Sequence, residues 1–450
     1  MSEQPPRVPT ERAADSSEEE GAGAREGEGE DESDGPRTPG IGGDPREIAD
    51  VTPDPGGKTW FRDLDEAVIE SDRCIQCGTC VAACPSDSIG IDETTGRPTL
   101  VRMCTGCSRC WDFCPRSGLR YERVLEFGRE TEPARNGSRK TASDSSRETT
   151  YAARARDAAT NDAGQDGGAV TALLAELLEA GEIDGAIVAG EREGEPLRGE
   201  AVLATSPEAL RATAGSVYSQ TMQLGRVHDL LEASDIDKPD PQLAIVGTPC
   251  VIEGAAALER YDWDGESDPI ALTIALMCTR SFEHERLRSS IAGCGVDPTA
   301  VDELDVSDGV LYAYDDGEAL LEEPIDTFDT AALRGCAECA DFVGGGADIS
   351  AGSVGSDASF TTVVVRTDRG ERAWEVASSG LETTALEETD ALDRIAAWNR
   401  RRAVDTLPRE FDPEGSVGIT YEEHREAYDG TDREPEPLNP ARVHQYEEWC

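Results

Sequence analysis

The hydrophobic positions between residues 151 and 405 alternate between helical and strand spacing. One helix, which should end near Gly181, is predicted by apolar residues at intervals of three and four: Val170, Leu173, Leu174, Leu177 and Leu178. Short apolar runs predict buried strands at 186–189, 243–246, 272–277 and 362–366, and helices are expected near 251–259, 371–379 and 389–402. Strands that alternate with helices indicate an α/β body with a largely parallel sheet.

The rest of the chain divides by composition. Residues 1–58 lack apolar periodicity, and the first fifty contain 15 acidic against 5 basic residues, so a disordered acidic tail is expected. A helical pattern begins at Trp60 and continues through Leu64, Ala67, Val68 and Ile69, within a small α+β module predicted over residues 59–128. The remaining predicted boundaries are a linker at 129–150, two parts of the α/β body at 151–238 and 239–407, and an acidic extension at 408–450.

Eight of the fourteen cysteines form two copies of one motif. The first copy ends at Pro85 and the second at Pro115, and each has the spacing Cys-x2-Cys-x2-Cys-x3-Cys-Pro. In bacterial two-cluster ferredoxins, three thiolates of such a run bind one 4Fe-4S cubane and the fourth binds the other cubane. The pattern therefore assigns a first set, Cys74, Cys77, Cys80 and Cys114, and a second set, Cys104, Cys107, Cys110 and Cys84. Two four-cysteine zinc sites are the disfavoured alternative, because zinc modules rarely place thiolates at this density.

Four other cysteines lie where an α/β body places its ligands. Cys250 and Cys278 each follow a predicted buried strand, and the carboxyl ends of parallel strands meet at one edge of a sheet. Cys336 and Cys339 are separated by two residues and could join them in what we call the body set. The alternative is buried structural cysteines and a chance pair. Cys294 and Cys450 have no partner at useful spacing, so free thiols are expected there.

The net charge of −51 restricts the partners and the environment. Nucleic acids and anionic membrane surfaces are polyanions, so nonspecific binding to either is excluded as a function. Only three of the 42 basic residues are lysines, and an acidic, lysine-poor surface suits the salt-filled cytoplasm of a halophile, where screening reduces self-repulsion. A mostly disordered acidic chain is the alternative, but 37% hydrophobic residues are enough for a real core.

The amino end shows no signal-peptide pattern, and no apolar run is long enough to span a bilayer. We therefore expect a soluble cytoplasmic protein without membrane insertion. In that compartment cysteines favour metal ligation over disulfides.

Other candidate contacts are less specific. The turn 164–168 precedes a helix and suits a pyrophosphate, or it is an ordinary entry turn with Asp166 as N-cap. The glycine-rich stretch 344–352 either approaches a ring system or forms a solvent loop. The run 400–402 of three arginines could attract an anionic tail, although such a run more often complements a helix dipole. His284 could carry a proton, but a surface histidine is the favoured interpretation.

In the segments around the body set and the two glycine-rich stretches, the sequence resembles a known family. This is the beta-subunit family of hydrogenases and formate dehydrogenases that use the deazaflavin coenzyme F-420. The matching segments include GQDGGAVTALLAELLEAGEIDGAIVAG at 164–190, VGTPCVIEG at 246–254, ALMCTRSFEHERL at 275–287, LRGCAECADFVGGGADISAGSVGS at 333–356 and TTVVVRTDRG at 361–370. The resemblance implies FAD, a third 4Fe-4S cluster on the body set, and a pocket for F-420. Cofactor contacts are expected within these segments at Gly164, Gln165, Asp166, Gly167, Gly168, Thr248, Pro249, Asp348 and Ser350.

One segment departs from the family pattern. The family often carries a lysine in a Gly-Ser-Lys-Tyr segment, whereas this chain reads Gly215-Ser216-Val217-Tyr218. If that lysine contacts an anionic cofactor, the contact is missing or replaced here.

These parts together predict a path for electrons. A deazaflavin exchanges a hydride and a cluster accepts single electrons, so a flavin is needed between them. The expected order is F-420, FAD, the body set, the module and a redox partner protein or catalytic subunit. The leading hypothesis is an iron-sulfur flavoprotein oxidoreductase that transfers electrons between F-420 and one-electron carriers. Two alternatives stay open: an electron-transfer adaptor subunit without its own hydride site, and a flavin-dependent reductase of an organic substrate.

Overall fold

A computed structural model describes residues 60–70, 72–116, 148–260, 269–386 and 389–406. The predicted acidic tail, the predicted extension, most of the linker and Cys450 lie outside these ranges. In the described ranges, no helix combines the length and the apolar character that a membrane span requires.

The cysteine module, residues 60–116 of the described chain, has two similar loops. Helix α1 (Phe61–Leu64) continues into a π-helical turn (Asp65–Ile69), and α2 (Thr79–Ala82) follows the first cysteine loop. Strands β1 (Ile89–Ile91) and β2 (Pro98–Leu100) pair antiparallel, and α3 (Arg109–Asp112) follows the second loop. Both loops enter their helix through a left-handed residue, Gly78 with φ 85° and Ser108 with φ 67°. The repeat in the sequence is therefore also a repeat in backbone conformation.

The body supplies the remaining strands and the longer helices. Its strands are β3 (Thr149–Ala155), β4 (Gly185–Glu191), β5 (Gly199–Ala204), β6 (Leu243–Gly247), β7 (Ile270–Leu276), β8 (Glu303–Ser307), β9 (Val310–Asp315), β10 (Glu318–Pro324), β11 (Ile349–Gly352), β12 (Thr361–Val365) and β13 (Leu381–Ala385). Its helices are α4 (Ala158–Ala163), α5 (Ala169–Ala180), α6 (Pro207–Ala212), α7 (Val227–Glu232), α8 (Pro249–Arg260), α9 (His284–Gly293), α10 (Asp368–Ala377) and α11 (Asp390–Thr406). The four predicted helices correspond to α5, α8, α10 and α11.

Eight strands form one sheet in the order β13-β3-β12-β11-β7-β6-β4-β5. The central strands β11, β7, β6 and β4 are parallel to one another, and the strands outside them pair antiparallel. The predicted strands correspond to β4, β6, β7 and β12, whereas β3, β5, β11 and β13 were missed. Half-buried and short strands carry a weaker hydrophobic signal than continuous apolar runs, which explains the difference.

Side chains of the sheet alternate between two apolar layers. On β6, Ala244 and Val246 pack with α5 and α10 on one face, whereas Leu243 and Ile245 pack with α8 on the other. Residues of the cysteine module, including Ile75, join this second layer. The module therefore packs on the same face as α8, and its position is fixed by burial of apolar surface.

A small antiparallel sheet, ordered β10-β9-β8, packs with α9 around a separate apolar cluster that contains Phe282, Leu311 and Phe328. This sheet lies beside the turn 164–168 that precedes α5. Gln165 Nε2 of that turn donates a hydrogen bond to Asp305 on β8.

Candidate functional site

The structure brings the module cysteines together in the two predicted groups. Burial raises the pKa of Cys80 well above its ordinary value, and Cys74, Cys77 and Cys114 are the thiols that add most to this shift. Burial likewise raises the pKa of Cys110, with further contributions from Cys107, Cys104 and Cys84. The fourth cysteine of each run thus lies beside three cysteines of the other run. Cys110 also contributes to the raised pKa of Cys80, and Cys114 contributes to that of Cys110, so the two groups adjoin.

Backbone N–H groups point at several of these sulfurs. Phe61 N and Gly106 N donate to Cys104 Sγ at 3.5 and 3.4 Å, and Arg116 N donates to Cys114 Sγ at 3.4 Å. Burial raises the pKa of Cys74 to about 12, so a bare thiol there stays protonated at neutral pH and needs a metal charge to become a thiolate. Buried thiols that receive N–H donors fit two 4Fe-4S clusters.

The body set also converges, although its cysteines come from three separate segments. Cys250 is the second residue of α8 after β6, Cys278 follows β7, and Cys336 and Cys339 lie at the 3-10 turn Arg334–Glu338. Burial raises the pKa of Cys278 to about 12, and the neighbouring thiols that contribute are Cys336 and Cys339. Cys336 and Cys278 also contribute to the raised pKa of Cys250. The structure thus brings together four thiols that are up to 89 positions apart in sequence.

Among the described residues, no three His, Cys, Asp or Glu side chains form a group that could hold a single metal ion. A zinc ion requires its ligands about 2.3 Å from one centre, whereas each thiolate of a cubane binds a different iron. Four cysteines are the ligand number of one 4Fe-4S cluster, so the donors of the body set fit such a group.

The body set adjoins the first set. After burial, Cys77 is the largest influence that raises the pKa of Cys250, ahead of the thiols of the body set itself. Glycines permit this approach, because a Cβ on Gly254 of α8 would overlap Thr79 Oγ1 on α2. A Cβ on Gly335 would similarly overlap the carbonyl oxygen of Arg73.

A buried arginine also joins the module to the body. Arg116, only 3% exposed, donates from Nε and Nη2 to the carbonyl oxygen of Gly335 at 3.0 and 2.7 Å. Gly335 precedes Cys336, and Arg116 follows the Cys114-Pro115 pair. One side chain therefore fixes a loop of the first set against a loop of the body set. Sequence reasoning missed Arg116, since nothing in its local pattern shows where the guanidinium points.

The predicted pyrophosphate turn is tightly packed. A Cβ on Gly164 would overlap Gly168, and a Cβ on Gly167 would overlap the carbonyl oxygen of Ser359. Helix α5 begins after Gly168, which has φ 66°, so Asp166 is not its N-cap. Asp166 itself has φ 52°, and its carbonyl oxygen accepts a hydrogen bond from Thr361 Oγ1 at 2.8 Å.

The other predicted cofactor residues lie in different surroundings. Thr248 Oγ1 lies 3.0 Å from Cys250 Sγ, and Pro249 begins α8. Asp348 is 1% exposed, and its carboxylate accepts hydrogen bonds from Thr273 N and Thr367 Oγ1 at 2.9 and 2.5 Å. Ser350 Oγ donates to the carbonyl oxygen of Gly344 at 3.2 Å and is also bonded by Arg366. Thr248 and Pro249 thus adjoin the body set, whereas Asp348 and Ser350 bond within the sheet region.

A cleft of about 290 Å³ separates the hairpin of the module from the body. Gln220 lies in its wall, and Gln220 Nε2 donates to Ser281 Oγ at 2.8 Å and Thr248 Oγ1 at 3.2 Å, next to Cys250. His284 lines the same cleft, with its side chain only 12% exposed and Nε2 3.1 Å from the carbonyl oxygen of Pro196. The expected surface histidine is therefore mostly buried.

The structure also shows the surroundings of Val217 and Cys294. Val217, at the position of the family lysine, packs against Gly199. Cys294 is half-buried after α9, away from the three cysteine sets, and burial raises its pKa.

Within the arginine run, Arg402 points inward. Arg401 is exposed, whereas Arg402 donates from Nη2 to the carbonyl oxygens of Thr279 and Cys336 at 2.6 and 3.1 Å. The guanidinium of Arg402 contacts the backbone of the body set. It therefore neither complements the helix dipole nor forms an exposed anion site, and both interpretations from the sequence are wrong for this residue.

Family models match both the body and the module of this chain. The models described as coenzyme F-420 hydrogenase/dehydrogenase, beta subunit N-term and C terminus, match residues 150–227 and 240–389, and a 4Fe-4S dicluster domain matches residues 67–119. The coenzyme F-420-dependent sulfite reductase of Methanocaldococcus jannaschii is 29% identical over 75% of this chain, and the match spans about half, 51%, of that relative's length.

Two further matches are shorter on this chain but cover nearly all of the relative. The coenzyme F-420 hydrogenase subunit beta of Methanothermobacter thermautotrophicus is 30% identical over 56% of this chain and 90% of its own length. A chain in a solved structure of the F-420-reducing NiFe hydrogenase complex from Methanosarcina barkeri matches with a TM-score of 0.53 and 26% identity, covering 63% of this chain and 94% of that chain. The chain therefore belongs to the coenzyme F-420 hydrogenase/dehydrogenase beta subunit family.

Proposed function

We propose that the protein is an iron-sulfur flavoprotein oxidoreductase that transfers electrons between coenzyme F-420 and a one-electron carrier. The observation that carries the proposal is the proximity of Cys77 and Cys250, which makes the first set and the body set neighbours. Electrons that enter the body then have a route out through the module. The names of the relatives, an F-420-dependent sulfite reductase and an F-420 hydrogenase subunit, support F-420 as the hydride carrier.

The three cysteine sets would hold one 4Fe-4S cluster each. The order along the path is the body set, then the first set, then the second set, because the first set adjoins both others. Backbone N–H donors to Cys104 and Cys114 would stabilise the negative charge of the two module clusters.

The turn at the start of α5 would hold the pyrophosphate of FAD. In the described structure no side chain caps this helix at Gly168, so its first-turn N–H groups suit an anion. Tyr218 contacts Gln165 of the turn, and Gln220 contacts Thr248 beside Cys250, so one short segment joins this turn to the body set. When bound, a flavin takes two electrons as a hydride and releases them singly, which connects F-420 to a cluster.

The second set would be the exit to the partner protein. Met103, 89% exposed, precedes Cys104, and Trp60, 50% exposed, packs against Gly106 in the same loop. Strong salt screens long-range attraction within a few ångströms, so docking on apolar side chains would replace charge steering. A one-electron carrier with an apolar docking face is the partner that this surface suits.

Metal and flavin content after anaerobic purification test the proposal. We expect about twelve irons per chain, since three cubanes contain four irons each, and about one FAD. About eight irons would remove the body cluster, and zinc without labile sulfide would overturn the iron-sulfur assignment. A chain with all its iron but no flavin would be an electron-transfer adaptor.

The hydride carrier is tested by reduction of the bound flavin. We expect reduced F-420 to bleach the flavin absorbance within seconds and NADH to leave it unchanged. Bleaching by NADH alone would overturn the choice of F-420.

Substitution of Cys250 tests the route. Cys250→Ala should lower the iron content by about four per chain and interrupt electron flow from F-420 to a viologen, while the signals of the module clusters remain. Cys294→Ala is the matched control, because Cys294 lies away from the three sets, and it should change neither quantity. Unchanged turnover in Cys250→Ala would contradict the placement of Cys250 on the path.

A further inference from the structure

Helix α11 turns two polar side chains onto the loops of the body set. Arg402 Nη2 donates to the carbonyl oxygen of Thr279, the residue after Cys278, and to the carbonyl oxygen of Cys336. Asn399, which is 0% exposed, donates from Nδ2 to the carbonyl oxygen of Cys339 at 3.1 Å. One helix therefore binds the backbone at three of the four thiols.

Asn399 also fixes the orientation of the arginine. Its Oδ1 accepts a hydrogen bond from Arg402 Nη2 at 2.7 Å, and the guanidinium lies over the ring of Trp398, 5.0 Å from its centroid. Arginine stays protonated in proteins, so this arrangement places a permanent, oriented positive charge beside the body set.

Such a charge has a predictable electronic effect. A cluster becomes more negative when it accepts an electron, and a cation in surroundings of low dielectric constant stabilises that reduced form. The thiols that interact most with Arg402 are Cys339, Cys336 and Cys278 of the body set, so the effect should be largest on that cluster.

We propose that the positive charge of Arg402 raises the reduction potential of the body cluster. The higher potential makes this cluster the acceptor of electrons from the flavin. The inference rests on the proposed function, because it requires a 4Fe-4S cluster on the body set.

The test is a redox titration of the holoprotein followed by EPR, with the body signal identified as the one that Cys250→Ala lacks. Arg402→Gln should shift the midpoint of the body signal to a lower potential and leave both module signals in place. Arg401→Gln is the matched control, since it removes the same charge from the next residue, which is exposed, and no signal should move. Arg402→Lys keeps the charge and should retain most of the wild-type potential.

The outcomes separate the inference from the proposed function. A wild-type protein with only two clusters would overturn the proposed function before any variant is compared. With three clusters present, an unchanged body signal in Arg402→Gln, or an equal shift in Arg401→Gln, would overturn the inference alone. If Arg402→Gln loses the body cluster, retention of that cluster and of its potential in Arg402→Lys still assigns the effect to charge, and loss in both variants refutes it.

Discussion

Replacement of Gly254 by alanine probes the contact on which the proposed electron path depends. Gly254 lies inside α8, four residues after Cys250, and faces Thr79 on α2 of the module. A Cβ there would overlap Thr79 Oγ1 and lie 2.7 Å from Leu224 Cδ1. Thr79 Oγ1 is itself 3.2 Å from Cys77 Sγ, so movement of Thr79 also disturbs the cysteine of the first set that adjoins Cys250.

Two opposite effects determine the magnitude. Alanine in place of glycine inside a helix gains about 1 kcal/mol of stability. Overpacking of a filled site costs about 1–3 kcal/mol, so Gly254→Ala is expected to lose about 1 kcal/mol overall. Gly293 at the end of α9 has nothing within 4 Å of its added Cβ, so Gly293→Ala should gain up to about 1 kcal/mol. The same substitution is thus expected to have opposite signs at the two glycines.

Thermal unfolding at one scan rate measures this difference. Since 1 kcal/mol shifts Tm by about 2–4 °C in a domain of this size class, the two variants should differ by roughly 4–8 °C. EPR of the fully reduced protein should also show a weaker magnetic interaction between the body cluster and the first cluster in Gly254→Ala. Equal Tm shifts in the two variants would refute the close contact.

A second substitution checks that Thr79 is the cause. Thr79→Ala removes the overlapping oxygen and leaves the Thr79 Cβ 3.3 Å from the new methyl group at residue 254. In the double variant, part of the loss caused by Gly254→Ala should therefore be recovered, with a coupling of about 0.5–3 kcal/mol. If the two changes in the free energy of unfolding simply add, the contact with Thr79 is not the cause of the loss in Gly254→Ala.

Two other predictions concern carboxylates that hold the fold. Although burial opposes the effect, hydrogen bonds from Arg286 of the body and Arg97 of the module lower the pKa of Asp72. The stability that Asp72 contributes should thus be complete above its unfolded pKa of about 3.9 and be lost as the pH falls toward the lower folded value. A Tm series over acidic pH should show this loss in the wild type but not in Asp72→Asn, and parallel curves would contradict the assignment. Asp348→Asn should cost about 3 kcal/mol, because it removes the charge from a buried hydrogen-bonded carboxylate, whereas exposed Asp357→Asn should stay within about 0.5 kcal/mol. Similar Tm values for these two variants would show that the buried carboxylate of Asp348 does not stabilise the fold in this way.

The two cysteine runs and the main helices of the body could be predicted because their signals are local. Spacing within ten or eleven residues assigns each run, and the apolar face of α5 repeats within twelve residues. The family resemblance, read from the segments around Cys250, Cys278 and Cys336, is confirmed by the family models. Strands β3, β5 and β13 were missed because most of their residues are half-buried or exposed, so their apolar signal is weak, and they gain stability from neighbours that are distant in sequence.

The direction of a side chain is not a local property. Three consecutive arginines look alike in the sequence, yet only the fold shows that Arg402 reaches the carbonyl oxygens of Thr279 and Cys336 while Arg401 is exposed. The path of α11 over the body set decides this, and that path depends on packing against segments far away in the chain.

The sequence by itself indicated which thiols of the two cysteine runs belong together, since their short, regular spacing is that of two-cluster ferredoxins. Only the tertiary structure shows that the module packs against the body, which is the contact that the proposed path requires. Their approach depends on Gly254 facing Thr79 and on Arg116 reaching Gly335, residues separated by more than 170 positions. Close packing makes such contacts specific, because a single added methyl group at the interface has no free space to occupy.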